Sequence, residues 1–358
     1  MTELEKGLII LDGYFDVDYV YVREFLDACQ MVNSLEEFAY LSESFFKKRI
    51  KNCNIDGYSS YFTEEKYLSL ITEYSKKGVK VITEFSSEYP SELLQIPLRP
   101  YCLYLKGNAD LLKRKDKFSI VGSRKSLPSY LKTAEEFSKR LSSSDVVVVT
   151  GVAGGGDLSA IKGAISSGNL ICVSACGFDY VYKEYTRDYI DKIIESGLLI
   201  SEKPPKVQAM PYFYPIRNRI IAGLGKGVLI ISGSNKSGTR YTYEYALEYG
   251  KDVFAFPYGL GVASGELCNE IIKQGGYLVT DIEDISSVCG FALDKKEEIN
   301  LSQNEVKVLT SIKNGNYQVD DIILDTSLKI FEVLPTLTCL EIKGLIIKEG
   351  SEYHIVKN

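Results

Sequence analysis

From Phe118 onward the chain repeats one unit: a short apolar, largely β-branched run, a turn of glycine and small polar residues, then a stretch with helical spacing. The runs are Phe118 to Val121, Asp145 to Thr150, Leu170 to Ser174, Leu198 to Ser201, Val228 to Ile231, Val253 to Phe256 and Tyr277 to Val279. Helices are predicted between them, over roughly 129–142, 157–167, 187–196, 217–224, 239–249 and 267–274. Strands that are apolar at nearly every position need cover on both faces, and helices alternating with them supply it. The pattern therefore predicts an α/β, Rossmann-like, doubly wound, mostly parallel sheet. Ligands of such sheets bind beyond the carboxyl ends of the strands, so the loops there are where chemistry is expected.

At 358 residues the chain is too long for one ordinary domain. Apolar residues at helical spacing (Val22, Phe25, Leu26; Leu35, Phe38, Leu41; Leu68, Leu70, Ile71) predict a helical (SAM-like) module over residues 1–80. The Rossmann-like domain with its lead-in occupies 81–292. A charged linker at Leu293 to Ile299 opens a third module, 293–358, in which three helices precede a hairpin turning at Glu349-Gly350-Ser351. That order is winged-helix-like. Its acidity makes protein contact a better expectation for it than reading DNA.

Composition removes several function classes. There is no apolar run of eighteen residues, and the acidic N-terminus, Met1 to Lys6, lacks a signal peptide's cationic start, so a cytoplasmic protein with no membrane partner is expected. The eight cysteines form no C-x-x-C pair and the single histidine is His354, which leaves no metal site, no catalytic triad and no Cys-His dyad in prospect. No catalytic residue and no cofactor is assigned. The net charge of −6 conceals a strong asymmetry: residues 112–240 carry 20 basic against 11 acidic side chains, a net +9, while the segments before and after stand at −6 and −9. An anionic ligand on the middle segment fits this segregation.

Four loops at the expected edge suit an anion. Gly122-Ser123-Arg124 ends the first strand, joining close backbone approach to a hydroxyl and a guanidinium. Thr150 to Asp157 contains Gly151, Gly154, Gly155 and Gly156, whose N–H groups are open to an anion, with Asp157 placed to cap the next helix. Its spacing is neither G-x-G-x-x-G nor Walker A. After the third strand, tyrosines surround Lys183 and Arg187, an arrangement that stacks bases and holds backbone, although with 26 tyrosines in the chain ordinary packing explains them equally well. Ser237-Gly238-Thr239 opens a helix after the fifth strand. Finally, Arg217-Asn218-Arg219 places two forked cations at a predicted helix start, which suits phosphate oxygens.

These motifs, together with S-E-K-P-P (201–205), P-I-R-N-R-I-I-A-G-L (215–224) and G-E-L-C-N-E-I-I-K-Q-G-G (265–276), resemble the DprA/Smf DNA-processing family. Tyr89-Pro90, Ile96-Pro97 and Cys102 to Gly107 resemble its lead-in, and Leu340 to Ile346 its C-terminal end. The resemblance implies a protein that binds single-stranded DNA without sequence preference, protects incoming strands in natural transformation, helps load a RecA-type recombinase and acts as a homodimer. It implies DNA-phosphate roles for Arg124, Arg187, Arg217 and Arg219. The pattern departs at Gly154, which stands in place of a basic residue, at Gly156 in place of isoleucine and at Ile161 in place of histidine. The alternative is a nucleotide-binding enzyme or sensor, for which Asp157, Asp179, Glu184 and Glu202 are the nearby acids; a third is an interaction scaffold with a decayed phosphate site.

Overall fold

The computed structural model describes residues 1–15, 17–29, 31–50, 57–180, 184–294 and 301–356. Two compact units are present, Met1–Asp294 and Lys295–Asn358.

The first unit opens with four helices, α1 (Glu3–Tyr14), α2 (Tyr19–Ala28), α3 (Leu35–Arg49) and α4 (Glu64–Lys76). Thr2 and Glu5 close a reciprocal capping box on α1, satisfying two donors that a helix start leaves open. Then follow β1 (Lys80–Thr83), α5 (Ser91–Leu94), β2 (Cys102–Gly107), β3 (Lys117–Val121), α6 (Pro128–Ser143), β4 (Val147–Gly151), α7 (Gly156–Ala164), β5 (Leu170–Ser174), α8 (Glu184–Ser196) and β6 (Leu198–Ser201). After these come α9 (Phe213–Leu224), β7 (Gly227–Ile230), α10 (Thr239–Glu248), β8 (Asp252–Ala255), α11 (Glu266–Lys273), β9 (Tyr277–Leu278) and α12 (Ile282–Cys289).

The nine strands form one sheet in the order β1-β2-β6-β5-β4-β3-β7-β8-β9. Seven of them, β6 through β9 in that order, run parallel, which bears out the doubly wound, mostly parallel reading. All seven strand runs expected from the sequence are present, and β3, β4 and β5 are buried at every residue. The chain leaves β3 toward β4 on one side and returns to β7 on the other. A right-handed crossover sends the helices of the two halves to opposite faces, so the loops after β3 and β7 part and leave a crevice at the carboxyl edge.

Two further strands were not expected. β1 and β2 add to the sheet antiparallel, β2 pairing Leu105 with Ile200 of β6. Their side chains alternate between two cores. Ile82, Leu103 and Leu105 join the core of the sheet, whereas Val81, Cys102 and Tyr104 face a second core built with the N-terminal helices. Asp12 of α1 accepts hydrogen bonds from the hydroxyls of Tyr101 and Tyr104, each at 2.6 Å, and so anchors the helices to this end of the sheet. The N-terminal helices are thus part of the same compact unit as the sheet.

The second unit has α13 (Gln303–Lys313), α14 (Val319–Thr326) and α15 (Ile330–Ile342), then β10 (Ile346–Glu349) paired antiparallel with β11 (Glu352–Ile355). Val308, Ile312, Ile322, Val333, Leu337, Leu340 and Ile346 make its core. Among the described residues no helix is long and apolar enough to cross a membrane.

The close packing of α6 on α7 depends on Gly163, where a Cβ atom would lie 2.2 Å from the Glu135 carbonyl oxygen. Backbone cannot yield there as a flexible side chain would. Gly163→Ala is expected to destabilise the first unit by about 1–3 kcal/mol, measured by urea denaturation.

Candidate phosphate-binding site

The loops after β3, β4 and β7 and the helices α9 and α10 enclose a cleft of about 330 Å³ at the switch point. Gly122, Ser123, Arg124, Arg217, Asn218, Ser237, Gly238 and Thr239 line it, joined by Asp157 and Tyr214. Eight of the fourteen residues expected to contact phosphate therefore meet in one place.

The other six are elsewhere or serve another purpose. Lys183 lies outside the described residues. Arg187 is exposed on α8 and does not line the cleft. Gly155 has φ +73°, a conformation that L side chains rarely adopt, and a Cβ there would meet the Ser123 carbonyl oxygen at 2.2 Å. Gly156 lies equally close to the Gly122 backbone, 2.5 Å from an added Cβ to the Gly122 Cα. The glycines let two loops touch. Gly151 makes room in a different way, since a Cβ there would sit 2.2 Å from Asp157 Oδ2 and 2.5 Å from Arg217 Nη1.

Arg219 is the main correction. The helix α9 starts at Phe213, with Pro215 in its first turn where a missing N–H costs nothing, so both arginines stand in its interior. Residues two apart on a helix point about 200° apart, and the pair splits to opposite sides. Arg219 is fully buried. Its Nη1 donates to Glu202 Oε2 at 2.9 Å and Nη2 donates to Oε1, making a bidentate pair; Nε donates to the Leu98 carbonyl at 2.7 Å. Burial opposes the charge on Glu202, but Arg219 outweighs it and holds the carboxyl below its ordinary range. All three Arg219 nitrogens are engaged in the interior, and the side chain does not line the cleft.

Arg217 faces the cleft. It is 5% exposed, its Nη1 donates to the Val173 carbonyl, and its Nε is buried without a partner among the described residues. Burial lowers the Arg217 pKa and Asp157 opposes that shift, which leaves the group a cation. Arg124 is exposed at the cleft mouth, its guanidinium 5.8 Å from the centroid of the Tyr214 ring. Asn218 Nδ2 donates to the Gly238 carbonyl at 3.2 Å. That contact fixes the start of α10, a helix with no side-chain cap, beside a buried Ser237 hydroxyl that has no partner among the described residues. Uncapped helix N–H groups, an unsatisfied hydroxyl and two guanidiniums make an anion site, with Tyr214 available for stacking.

Two backbone donors of the first loop are already used: Ser123 N–H donates to the Ser232 carbonyl and Lys125 N–H to Ser123 Oγ. Asp157 does not cap α7, whose N-cap is Gly155. The remaining acids proposed for a nucleotide enzyme are engaged or outside description. Asp179 pairs with Lys77 at 2.6 Å, Glu202 with Arg219, and the Glu184 side chain lies outside the described residues.

Residues 80–290, which carry the whole cleft, match the family model of DNA recombination-mediator protein A. The chain belongs to that family. It is 34% identical over 225 residues to the DNA processing protein DprA of Streptococcus pneumoniae, an alignment covering 62% of this chain and 79% of that one. The crystal structure of the Streptococcus pneumoniae DprA superposes with a TM-score of 0.64 at 28% identity, covering 82% of this chain and all of that one. DNA processing protein A of Helicobacter pylori, described for its single-stranded DNA binding mode, shares the fold at TM-score 0.55 and 24% identity, covering 60% of this chain and 97% of its own.

Losing Arg219 strands Glu202 in the interior. Arg219→Ala is expected to cost about 3–5 kcal/mol in urea denaturation. Arg124→Ala, at an exposed position, should stay within about 0.5 kcal/mol of the parent.

Proposed function

We propose that this protein binds single-stranded DNA through the cleft, holding backbone phosphates without regard to base sequence. The observation that carries the proposal is the convergence of Arg124, Arg217, the Ser237 hydroxyl, unpartnered among the described residues, and the uncapped start of α10 at the switch point. Phosphate contacts of this kind position a strand and carry no base code, while Tyr214 offers a face on which any base stacks. Arg187 and Lys183 belong to the same proposal as contacts farther along the strand.

Family membership supports the wider role: protection of incoming strands during transformation, delivery to a RecA-type recombinase, and action as a homodimer in the cytoplasm. A second reading, a single-nucleotide pocket, draws on the buried acid Asp157 beside the cleft. Salt separates the two, because several backbone contacts release several counterions and one nucleotide releases few.

Binding of an oligothymidylate, followed by fluorescence anisotropy, should be tighter than binding of duplex of equal length and should weaken steeply with salt. Arg124→Ala should weaken it alike for every sequence and lower the salt slope by about one. Unchanged affinity and slope in that variant would remove the cleft as the site.

A further inference from the structure

Asp157 stands inside a site that otherwise suits anions, and it is nearly fully buried there. A carboxylate at that position works against a phosphate. Its surroundings are known from every side. The Gly122 backbone just after β3 and Arg124 of the same loop favour its charge, Arg217 faces it from α9, and Cys172 of β5 is nearby as a thiol whose ionisation burial disfavours. Gly151 makes the approach of Asp157 and Arg217 possible, since both side chains occupy the space that a Cβ would take. Even so, the two do not close into a hydrogen-bonded ion pair. Arg217 donates to the Val173 carbonyl instead, and its attraction for Asp157 acts through space.

Resting on the reading of the cleft as a phosphate site, we propose that Asp157 sets its affinity by taking up a proton when a phosphodiester binds. The free cleft holds the Arg217 cation against the Asp157 anion. An arriving phosphate competes for the same guanidinium and places a second negative charge in a poorly solvated space, where two neighbouring anions raise the pKa of the titratable one. The phosphodiester stays ionised at any ordinary pH, so the proton goes to Asp157. The neutral acid keeps its place beside Gly122 while Arg217 turns its charge to the ligand.

Burial already pushes the Asp157 carboxyl up to about 6 in the free protein, against the pull of Arg217, the Gly122 backbone and Arg124. A bound phosphate raises it further. Between the free and bound values each complex takes up one proton, so affinity climbs about tenfold for each unit the pH falls, then levels off below the free value.

The test is binding of an oligothymidylate at fixed salt from pH 5 to 8, for the parent protein and Asp157→Asn. The parent should bind more tightly as pH falls toward 6. Asp157→Asn should bind more tightly than the parent at pH 7.5 and lose most of the pH dependence. Titration calorimetry of the parent in two buffers of different ionisation enthalpy should show proton uptake at pH 7, which keeps the proposal testable if the variant folds poorly. Parallel pH profiles in the two proteins, or no proton uptake in the parent, would overturn the role of Asp157 while leaving the DNA-binding reading intact. Failure of the folded parent to bind at any pH would overturn both.

Discussion

The buried pair between Arg219 and Glu202 fixes the part of the molecule on which the cleft depends. Two charges removed from water carry a heavy desolvation cost, offset here by bidentate geometry and by the Leu98 and Ile216 carbonyls, which take further Arg219 donors. Through these contacts α9 is tied to the loop after β6 and to the lead-in before β2. The Arg219 guanidinium also lies 5.2 Å from the centroid of the Tyr19 ring, a contact with the N-terminal helices. With one side of α9 locked in this way, the opposite side presents Arg217 to the crevice at a fixed position.

The crevice follows from topology. Strand order reverses at β3, so the loops after β3 and β7 diverge, and α10 begins at the gap. Part of the polar backbone there is spent within the protein: Ser123 on Ser232, Lys125 on Ser123 Oγ, and Gly156 on the Ser123 carbonyl at 3.4 Å. Anion attraction is left to the Arg124 and Arg217 side chains and to the start of α10. Charge from side chains suits a ligand gripped through several weak contacts along its length, because no single phosphate is enclosed on all sides.

Much of this was legible in the sequence, and the exceptions have physical causes. The seven parallel strands announce themselves because burial on both faces requires continuous apolar runs. β1 and β2 alternate between two cores, so their apolar residues serve two different partners and the period was hidden in short segments. The loops stand at the carboxyl edge as the pattern predicts, whereas the close contacts that Gly155 and Gly156 make with the first loop follow from tertiary structure. Pro215 marked the first turn of α9, not the approach to it. The spacing of Arg217 and Arg219 carried usable information, since two residues apart on a helix cannot share a face. Glu202 as the partner of Arg219 was not legible, because a pairing across 17 residues and a strand end follows from tertiary structure alone.

One arginine of the pair is locked in the interior, and the other faces the cleft proposed to hold the ligand. A crystal structure of the protein with a bound oligothymidylate tests that division most directly. A backbone phosphate is expected between the Arg124 and Arg217 guanidiniums near the start of α10, with Arg219 still paired to Glu202. A strand bound away from this cleft, or a phosphate on Arg219 with the Glu202 pair broken, would contradict it.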